Sequence, residues 1–306
     1  MTKARFLILN DKLVPYEDAR VHVLSTAMKY AASVYEGLRA YWDDAAKQLY
    51  VFRMEDHLTR LRRSAEIARI PLPLPAPELG ERIVEVIRAN EFREDLHIRL
   101  MVFVEADDGS MSSSEPVGYA VAAIPCGRYF GPAPGLHVAV SSWTRTADNA
   151  IPPRVKAAAN YQNSRLALLQ ARLDGYDDAI LLNRDGTAAE GPGYTLFVVR
   201  DGQPITPAVT NNILEGVTRA TLITLFREVF DLEVRERDIA RTELYVADEA
   251  FFCGSAAEVT PILSIDRHPI GSGTAGPMTA GIRGAYFPVV RGLQGVHPEW
   301  RTPVYA

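Results

Sequence analysis

The sequence predicts a mixed α and β fold (α/β or α+β) with two domains. Its 306 residues are enough to build two hydrophobic cores. Short apolar runs typical of strands are interspersed with longer segments in which apolar residues recur at helical spacing. Residues 125–135 contain three glycines and three prolines, as expected of a connection between domains. We therefore predict a small N-terminal domain at 1–125, an interdomain loop at 126–135 and a larger domain at 136–306.

The first domain is predicted to contain four strands and two helices. Apolar runs predict strands at 6–9, 48–52, 97–104 and 117–124. The first helix is predicted at His57–Ile70, where apolar residues at helical spacing precede a proline-rich breaker at 71–77. The second helix is predicted at about 78–90, because Ile83, Val86 and Ile87 share one helical face.

The larger domain shows the same mixture of elements. Strands are predicted near 136–143, 178–183, 194–200 and 249–253, and helices near 161–173, 217–230 and 277–291. No internal repeat or low-complexity tract is present in the sequence. Local pattern alone does not select a topology for these elements.

Composition excludes several functional classes. The net charge of −5, without a run of Lys or Arg, argues against nucleic acid as a partner. Cys126 and Cys253 are too few for a disulfide framework or a metal site of their own, so no metal is expected. No apolar stretch has the length of a membrane span. We therefore expect a cytoplasmic protein with no membrane partner.

Lys156 is the feature of the sequence most indicative of chemistry. The chain has 28 arginines but five lysines, and Lys156 is the one lysine after residue 47. Small residues surround it in Pro-Arg-Val-Lys-Ala-Ala-Ala. A desolvated amine can lose its proton and attack a carbonyl, which arginine cannot do. An ordinary lysine at a strand end is the alternative.

Three turns offer groups that bind a charged ligand. Glu190 lies in a Gly-Pro-Gly loop before a strand, where a buried carboxylate would need a cation such as a protonated pyridine nitrogen. Gly216, Val217 and Thr218 open a predicted helix, whose free N–H groups attract anions. The turn with Ser255 and Ala256 presents N–H groups and a hydroxyl. The alternatives are a solvated glutamate, simple capping by Asn212 or Thr218, and an ordinary turn.

The N-terminal domain adds tyrosines and cations. Tyr30, Tyr35 and Arg39 surround Gly37 in one segment. His97 and Arg99 are two residues apart, so they share one face of a predicted strand. Two such arginines facing a cleft would bind a carboxylate or phosphate. With an amine nucleophile, a carboxylate and two anion turns, these residues make up the parts of a pyridoxal-phosphate site.

The order of the motifs resembles the class IV (fold type IV) pyridoxal-phosphate aminotransferases, and among them the branched-chain amino-acid aminotransferases. The likeness covers nearly the whole chain, and its motifs are Val21–Ser25, Tyr35–Arg39, Phe52–Arg53 with His57, His97–Arg99, Lys156 with Asn160–Tyr161, Glu190–Gly193, Gly216–Arg219, Leu244–Glu249 and Gly254–Glu258. The resemblance implies a small α/β domain, a larger β-barrel-like domain with helices, a homodimer and an active site at the domain interface.

The resemblance also implies a role for each matching residue. Lys156 would carry the cofactor and move the proton, Glu190 would keep the pyridine nitrogen protonated, and Tyr161 would bind the ring's phenolate oxygen. The phosphate would be held by Arg53, Val217, Thr218 and Ser255, and the Ser255–Ala256 turn would also meet the α-carboxylate. Substrate recognition would fall to Tyr30 (from the partner subunit), Tyr35, Gly37, Arg39, His97, Arg99 and Tyr129.

Four departures from the branched-chain enzymes bear on the substrate. His97 replaces a tyrosine, the loop 107–116 is altered, Cys126 replaces an aromatic residue, and Thr195 replaces an asparagine. The first hypothesis is transfer between branched-chain L-amino acids and 2-oxoglutarate, with Arg99 binding the second carboxylate. The alternatives are an (R)-amine or D-amino acid transaminase, an aminodeoxychorismate lyase and a non-catalytic binding protein.

Overall fold

The computed structural model describes residues 4–293 and 295–305. Its helices are α1 (Thr26–Tyr30), α2 (Met54–Ala68), α3 (Ala76–Asn90), α4 (Ala158–Leu173), α5 (Val217–Phe230), α6 (Arg241–Leu244) and α7 (Pro277–Val290). Its strands are β1 (Phe6–Leu9), β2 (Lys12–Pro15), β3 (Ser33–Asp43), β4 (Gln48–Phe52), β5 (Leu96–Val104), β6 (Val117–Pro125), β7 (Leu136–Val140), β8 (Asp178–Ile180), β9 (Thr195–Arg200), β10 (Gln203–Thr206), β11 (Arg235–Glu236), β12 (Glu249–Gly254), β13 (Glu258–Ile265), β14 (His268–Pro269) and β15 (Arg301–Pro303). The predicted mixture of helices and strands is confirmed.

The contacts divide the chain into two compact units. The first contains Met1–Tyr129, Val155–Ala159 and Val289–Ala306, and the second contains Phe130–Arg154 and Asn160–Pro288. Lys156 therefore belongs to the first unit, together with β3 and β5.

The first unit is built on an antiparallel sheet in the order β15-β4-β3-β5-β6-β1-β2. Even-numbered apolar residues of β3 and β5, such as Leu38 and Ile98, pack with the apolar stripes of α2 and α3 in one core. The apolar stripe of α2 includes Leu58 and Leu61, which lie within the helix predicted at His57–Ile70. Helix α2 begins one turn earlier than predicted, at Met54, after Arg53 in the left-handed conformation.

The second unit is built on a mixed sheet in the order β11-β10-β9-β12-β13-β7-β8, with β14 paired to β13. The pairs β10–β11, β13–β7 and β7–β8 are parallel, and the others are antiparallel. Apolar residues of β9 and β12, including Leu196, Val198 and Phe252, fill its core. The predicted strand at 178–183 ends at Ile180, after which the chain forms a hairpin that returns to Glu190.

Strand β3 was not predicted. Residues 33–41 are buried on both faces, so the strand lacks the alternation that marks a half-exposed strand. Among the described residues, no helix combines the length and the apolar character needed to cross a bilayer.

Candidate active site

The main chain of Lys156 is held on both sides within the first unit. Its N–H donates to Ser64 Oγ at 3.1 Å, and its carbonyl accepts from the N–H of Tyr35 at 2.9 Å. The next residue, Ala157, forms a β-bridge with Val34 at the start of β3. The Nζ atom lies 5.0 Å from the centre of the Tyr35 ring. The lysine predicted from its scarcity is therefore fixed beside the strand that carries the predicted substrate residues.

Strands β3 and β5 bring those residues to one face. In the antiparallel register Gly37 is opposite Arg99, and Arg39 is opposite His97. Alternation along each strand then puts Tyr35 on the same face as these four. The Arg99 guanidinium lies 4.5 Å from the centre of the Tyr35 ring, the ring that Lys156 also contacts. The face carries a nucleophilic amine, two guanidinium groups and a histidine.

His97 is neutral on this cationic face. Burial lowers its pKa to about 3, and Arg99, Arg39 and Lys156 add to the shift because each disfavours a further positive charge. Its Nδ1 is buried and makes no hydrogen bond with any described residue. The ring leans over Gly37, whose missing Cβ would lie 3.2 Å from His97 Cε1. Gly37 therefore makes room for His97.

A buried polar cluster that was not predicted lies on the opposite face of β3. Glu36 is fully buried and accepts from Arg60 through both oxygens at 2.8 Å and from His57 Nδ1 at 2.7 Å. Burial alone would raise the pKa of Glu36, but Arg60 and His57 outweigh it and hold the pKa well below its usual range. Burial and Arg60 lower the pKa of His57, so the neutral ring carries its proton on Nδ1. The signal available in the sequence was the one-turn spacing of His57 and Arg60 on α2.

The other predicted residues of the first unit lie elsewhere on its surface. Arg53 precedes α2, where its Nε donates to Asp56 at 2.8 Å and its guanidinium lies 4.8 Å from the Trp300 ring centre. Its side chain is 13% exposed, so most of its surface is already covered. Tyr30, at the end of α1, and Tyr129 are exposed.

In the second unit, Glu190 is a buried carboxylate paired with Arg145. The Arg145 Nη2 lies 2.7 Å from Glu190 Oε1, and the two side chains are 5% and 7% exposed. The N–H of Leu214 donates to Oε2 at 3.1 Å, and Arg145 Nε donates to the carbonyl of Asn212 at 3.1 Å. A fixed cation favours the ionised carboxylate. The sequence predicted that Glu190 needs a cation, but it did not indicate Arg145.

In the loop after Glu190, Gly193 lies near Gly254, so the backbone there is not covered by side chains of these two residues; we call this region the Gly193 cradle. A Cβ on Gly193 would lie 4.0 Å from Tyr161 Cε1, and a Cβ on Gly254 would lie 3.5 Å from the Gly193 carbonyl oxygen. A Cβ on Gly191 would lie 2.9 Å from Phe252 Cε1. The Glu190 loop, Tyr161 and the turn that begins at Gly254 therefore converge in this unit.

Helix α5 begins beside this cradle. Its N-cap is Gly216, and no side chain caps the helix. The side chain of Asn212, one of the two caps considered from the sequence, instead donates to Asn183 Oδ1 and accepts from the N–H of Asp148. A Cβ on Gly216 would lie 3.1 Å from Thr195 Oγ1, so the helix start packs against β9. Capping by Asn212 is thus wrong, and a helix N-terminus without a side-chain cap is of the kind that favours an anion.

The residues present in the second unit fit pyridoxal phosphate. Glu190 is a buried carboxylate, the type of group that accepts a hydrogen bond from the ring N–H of a protonated pyridine. Gly193 leaves the space of a side chain next to the Tyr161 ring, and α5 and the Ser255 turn supply N–H groups of the kind that bind phosphate. In the described part of the chain no three His, Cys, Asp or Glu side chains gather as metal ligands.

Known proteins match this chain along nearly all of its length. A family model described as amino-transferase class IV matches residues 33–265. A probable branched-chain-amino-acid aminotransferase from Aquifex aeolicus (strain VF5) is 40% identical, covering 98% of this chain and 97% of that protein. The PLP (holo) form of a branched-chain amino acid aminotransferase from Thermobaculum terrenum matches with a TM-score of 0.93 and 40% identity, covering 99% of both chains. A branched-chain aminotransferase from Thermoproteus uzoniensis, solved with norvaline, matches with a TM-score of 0.94 and 42% identity, covering 98% of this chain and 99% of that chain.

Proposed function

Because the chain belongs to the class IV aminotransferases, we propose that it transfers the amino group between branched-chain L-amino acids and 2-oxoglutarate, with pyridoxal 5′-phosphate as its cofactor. The relatives, which match over nearly their full length, bear the names of branched-chain aminotransferases, and this supports the substrate class. We also propose a homodimer in the cytoplasm, with Tyr30 of one subunit reaching the site of the other.

The main structural support for the cofactor proposal is the buried Glu190–Arg145 pair beside the Gly193 cradle. Bound pyridoxal phosphate supplies the electron sink for the carbanion that forms when a substrate loses its α-proton. An ionised carboxylate accepts a hydrogen bond from the ring N–H and favours the protonated ring nitrogen. Arg145 would contribute by favouring the ionised form of Glu190, since both side chains are less than one-tenth exposed.

Lys156 is proposed as the catalytic residue. Its Nζ would bind the cofactor covalently and, once released by the substrate, would accept and return the substrate's α-proton. The hydrogen bonds from Tyr35 and to Ser64 hold its main chain, so the flexible part is the side chain alone. A fixed starting point limits which face of a planar ligand the amine reaches.

We assign the remaining roles by residue. Tyr161 would hydrogen-bond the ring oxygen. The phosphate would be held by Arg53, Val217, Thr218 and Ser255. The turn at Ser255 and Ala256 would bind the α-carboxylate. The substrate side chain would meet Tyr30, Tyr35, Gly37, Arg39, His97, Arg99 and Tyr129.

The acceptor is inferred from the guanidinium of Arg99, which lies on the same face as Tyr35. Arg99 makes no ion pair with any described residue, although it lies against Tyr35. A guanidinium in this position is suited to binding a carboxylate through two hydrogen bonds. Every amino-acid substrate has an α-carboxylate, and 2-oxoglutarate and glutamate carry a second. Arg99 therefore favours a dicarboxylate partner over a simple amine.

Two measurements test the function. Borohydride reduction of the holoenzyme followed by peptide mapping should place the cofactor on Lys156, and Lys156→Ala should abolish the label; a label on another lysine would overturn the assignment. A panel of L-leucine, (R)-1-phenylethylamine and D-alanine, each with 2-oxoglutarate, should show turnover of leucine alone. Preferred turnover of either of the other two would replace the branched-chain assignment by the amine or D-amino acid alternative.

A further inference from the structure

Asn212 lies in the loop before α5, and none of the roles proposed above is assigned to it. Its main-chain carbonyl accepts a hydrogen bond from Arg145 Nε at 3.1 Å. Two residues later, the N–H of Leu214 donates to Glu190 Oε2 at 3.1 Å. The same short segment therefore binds both members of the buried pair, the arginine through a carbonyl and the carboxylate through an N–H.

The side chain of Asn212 anchors this segment on two sides. Its Oδ1 accepts from the N–H of Asp148 at 3.1 Å, and its Nδ2 donates to Asn183 Oδ1 at 2.9 Å. Asp148 follows Arg145 by three residues, and Asn183 lies on the hairpin that returns to Glu190. All five residues belong to the second unit. One amide group thus joins the segment that carries the cation, the hairpin that carries the carboxylate and the loop that contacts both.

The hydrogen bonds around Asn212 are consistent with one orientation of each amide. A main-chain N–H can only donate, so the atom of Asn212 that faces Asp148 is the oxygen. Asn183 is 7% exposed, and its Nδ2 donates to the carbonyl of Asn211 and to Thr187 Oγ1. The oxygen of Asn183 is therefore the atom that accepts from Asn212. Donors and acceptors match at each contact, as a fixed polar network requires.

The backbone of Asn212 adds a constraint that few residue types satisfy. Its φ is 54°, in the left-handed region, which asparagine tolerates better than most residues with a side chain. Glycine would also allow this conformation, but it would supply neither side-chain hydrogen bond. Asparagine is therefore suited both to the turn of the backbone and to the two contacts that anchor the loop.

On the basis of the proposed function, we propose that Asn212 is a positioning residue that holds Arg145 and Glu190 together and thereby keeps the carboxylate in place for the ring N–H of pyridoxal phosphate. It acts through its own carbonyl on Arg145 and through the N–H of Leu214 on Glu190. A hydrogen bond weakens steeply when its angle or distance departs from the optimum. A loop that loses its anchor should therefore weaken the bond from Glu190 to the ring nitrogen.

The test uses two cofactor probes that cannot form a covalent bond with a lysine. Pyridoxamine 5′-phosphate carries the ring nitrogen, and its deaza analogue has a C–H in place of that nitrogen. Dissociation constants are measured by calorimetry on the whole chain freed of cofactor, and the preference is the ratio of the two constants. A purely structural change should weaken both probes equally and leave the preference unchanged.

The variant is Asn212→Gly, which permits the positive φ and removes both side-chain hydrogen bonds. Asn10→Gly is the matched control, because Asn10 has a φ of 46° and its side chain also accepts from a main-chain N–H, that of Tyr119, and donates to a side chain, that of Glu105. Asn10 belongs to the first unit, so its loss does not touch the Glu190–Arg145 pair.

The wild type should bind pyridoxamine phosphate about 10- to 100-fold more tightly than the deaza analogue, because a hydrogen bond to a charged group is lost with the nitrogen. Asn212→Gly should lower this preference by about 3- to 10-fold, the effect of one neutral hydrogen bond. Asn10→Gly should keep it within about twofold of the wild type. If Asn212→Gly does not fold, Asn183→Ala removes the acceptor of the Asn212 amide from outside the loop and should shift the preference in the same direction.

A double-variant cycle tests whether Asn212 acts through Arg145. In the Arg145→Met background, Asn212→Gly should change the preference by less than about twofold, because the contact that it supports is already absent. A change as large as in the wild-type background would overturn the inference.

Two further results would contradict the proposal, and they are distinguishable. An unchanged preference in Asn212→Gly, with both probes weakened equally, would make Asn212 a structural residue of the loop. Equal binding of the two probes by the wild type would overturn the assignment of Glu190 to the ring nitrogen, and the inference with it. Failure of the proposed substrate class would leave the probe ratios as expected and would appear only in the panel of amino donors.

Discussion

Arg145→Met removes the cation that faces Glu190 and leaves a carboxylate inside the second unit. The paired atoms are 2.7 Å apart and both side chains are less than one-tenth exposed. At an effective dielectric constant of 20, two unit charges at that distance attract by about 6 kcal/mol before desolvation is counted. Breaking a buried pair by removing one partner costs about 3–5 kcal/mol. We expect a loss in that range for the free energy of unfolding, since Arg145 also donates to the Asn212 carbonyl.

The assay is urea unfolding of the wild type, Arg145→Met, Glu190→Gln and the double variant, with the pyridoxal-phosphate dissociation constant measured for each. The double variant should recover much of the stability lost by Arg145→Met, because it has no unpaired buried charge. It should not recover cofactor affinity, because the ring N–H then lacks an ionised acceptor. Arg62→Met, which breaks an exposed pair with Glu66, is the control and should change stability by less than about 1 kcal/mol.

The outcome that contradicts this reasoning is a double variant no more stable than Arg145→Met. The loss would then come from packing of the arginine rather than from the charge left on Glu190. A fall in stability without any change in cofactor affinity would separate the pair from the cofactor site.

Three further predictions follow from the structure. Arg99→Ala should raise KM for glutamate and 2-oxoglutarate by at least about tenfold more than for leucine, because only the former carry a second carboxylate; equal losses for all three contradict it. Burial raises the pKa of Asp178 from 3.8 to about 7. The contribution of Asp178 to stability should therefore be fully present below the unfolded pKa and be lost as pH rises through about 7, by on the order of 3 kcal/mol between about pH 5 and pH 8, and in urea unfolding the difference between the wild type and Asp178→Asn should report this contribution. Gly191→Ala should destabilise by about 1–3 kcal/mol in the same assay, because its Cβ would lie 2.9 Å from the buried Phe252, whereas Gly284→Ala has open space around it and should not.

Helices and half-exposed strands were predictable because their apolar residues follow a period. Helix α5 was predicted at 217–230, where the structure has it, and β1 was predicted at Phe6–Leu9. Strand β3 was not predictable in this way, because both of its faces are buried and Glu36 and Arg39 interrupt its apolar run. A polar residue in a predicted strand is taken to be solvent-exposed unless its partner is known. The side-chain partners of Glu36 lie on α2, more than 20 residues away.

The candidate site likewise has a part that was predictable from the sequence and a part that was not. Residue chemistry made Lys156, Glu190 and the start of α5 candidates, but each kept an ordinary alternative, and it was their combination that indicated one site. The residues that hold them were not predictable from spacing. Ser64 is 92 residues from Lys156, and Arg145 is 45 residues from Glu190. Contacts at these separations depend on the packing of whole elements.

The arginines show why composition had to be supplemented by geometry. The sequence analysis singled out Arg99 but gave no role to Arg60 or Arg145, because residue type alone does not show which arginines have an acidic partner. In the structure Arg60 and Arg145 are bound to the buried carboxylates of Glu36 and Glu190, while Arg99 makes no ion pair with any described residue. A guanidinium that is already paired with a carboxylate inside the protein attracts a charged substrate only weakly. A guanidinium without an acidic partner lowers the free energy of an anion that binds beside it. The presence or absence of an acidic partner therefore distinguishes an arginine that stabilises the protein from an arginine that is suited to binding a substrate. By this criterion Arg99 is the residue that we propose to discriminate between dicarboxylic and aliphatic substrates, and the Arg99→Ala variant tests that proposal.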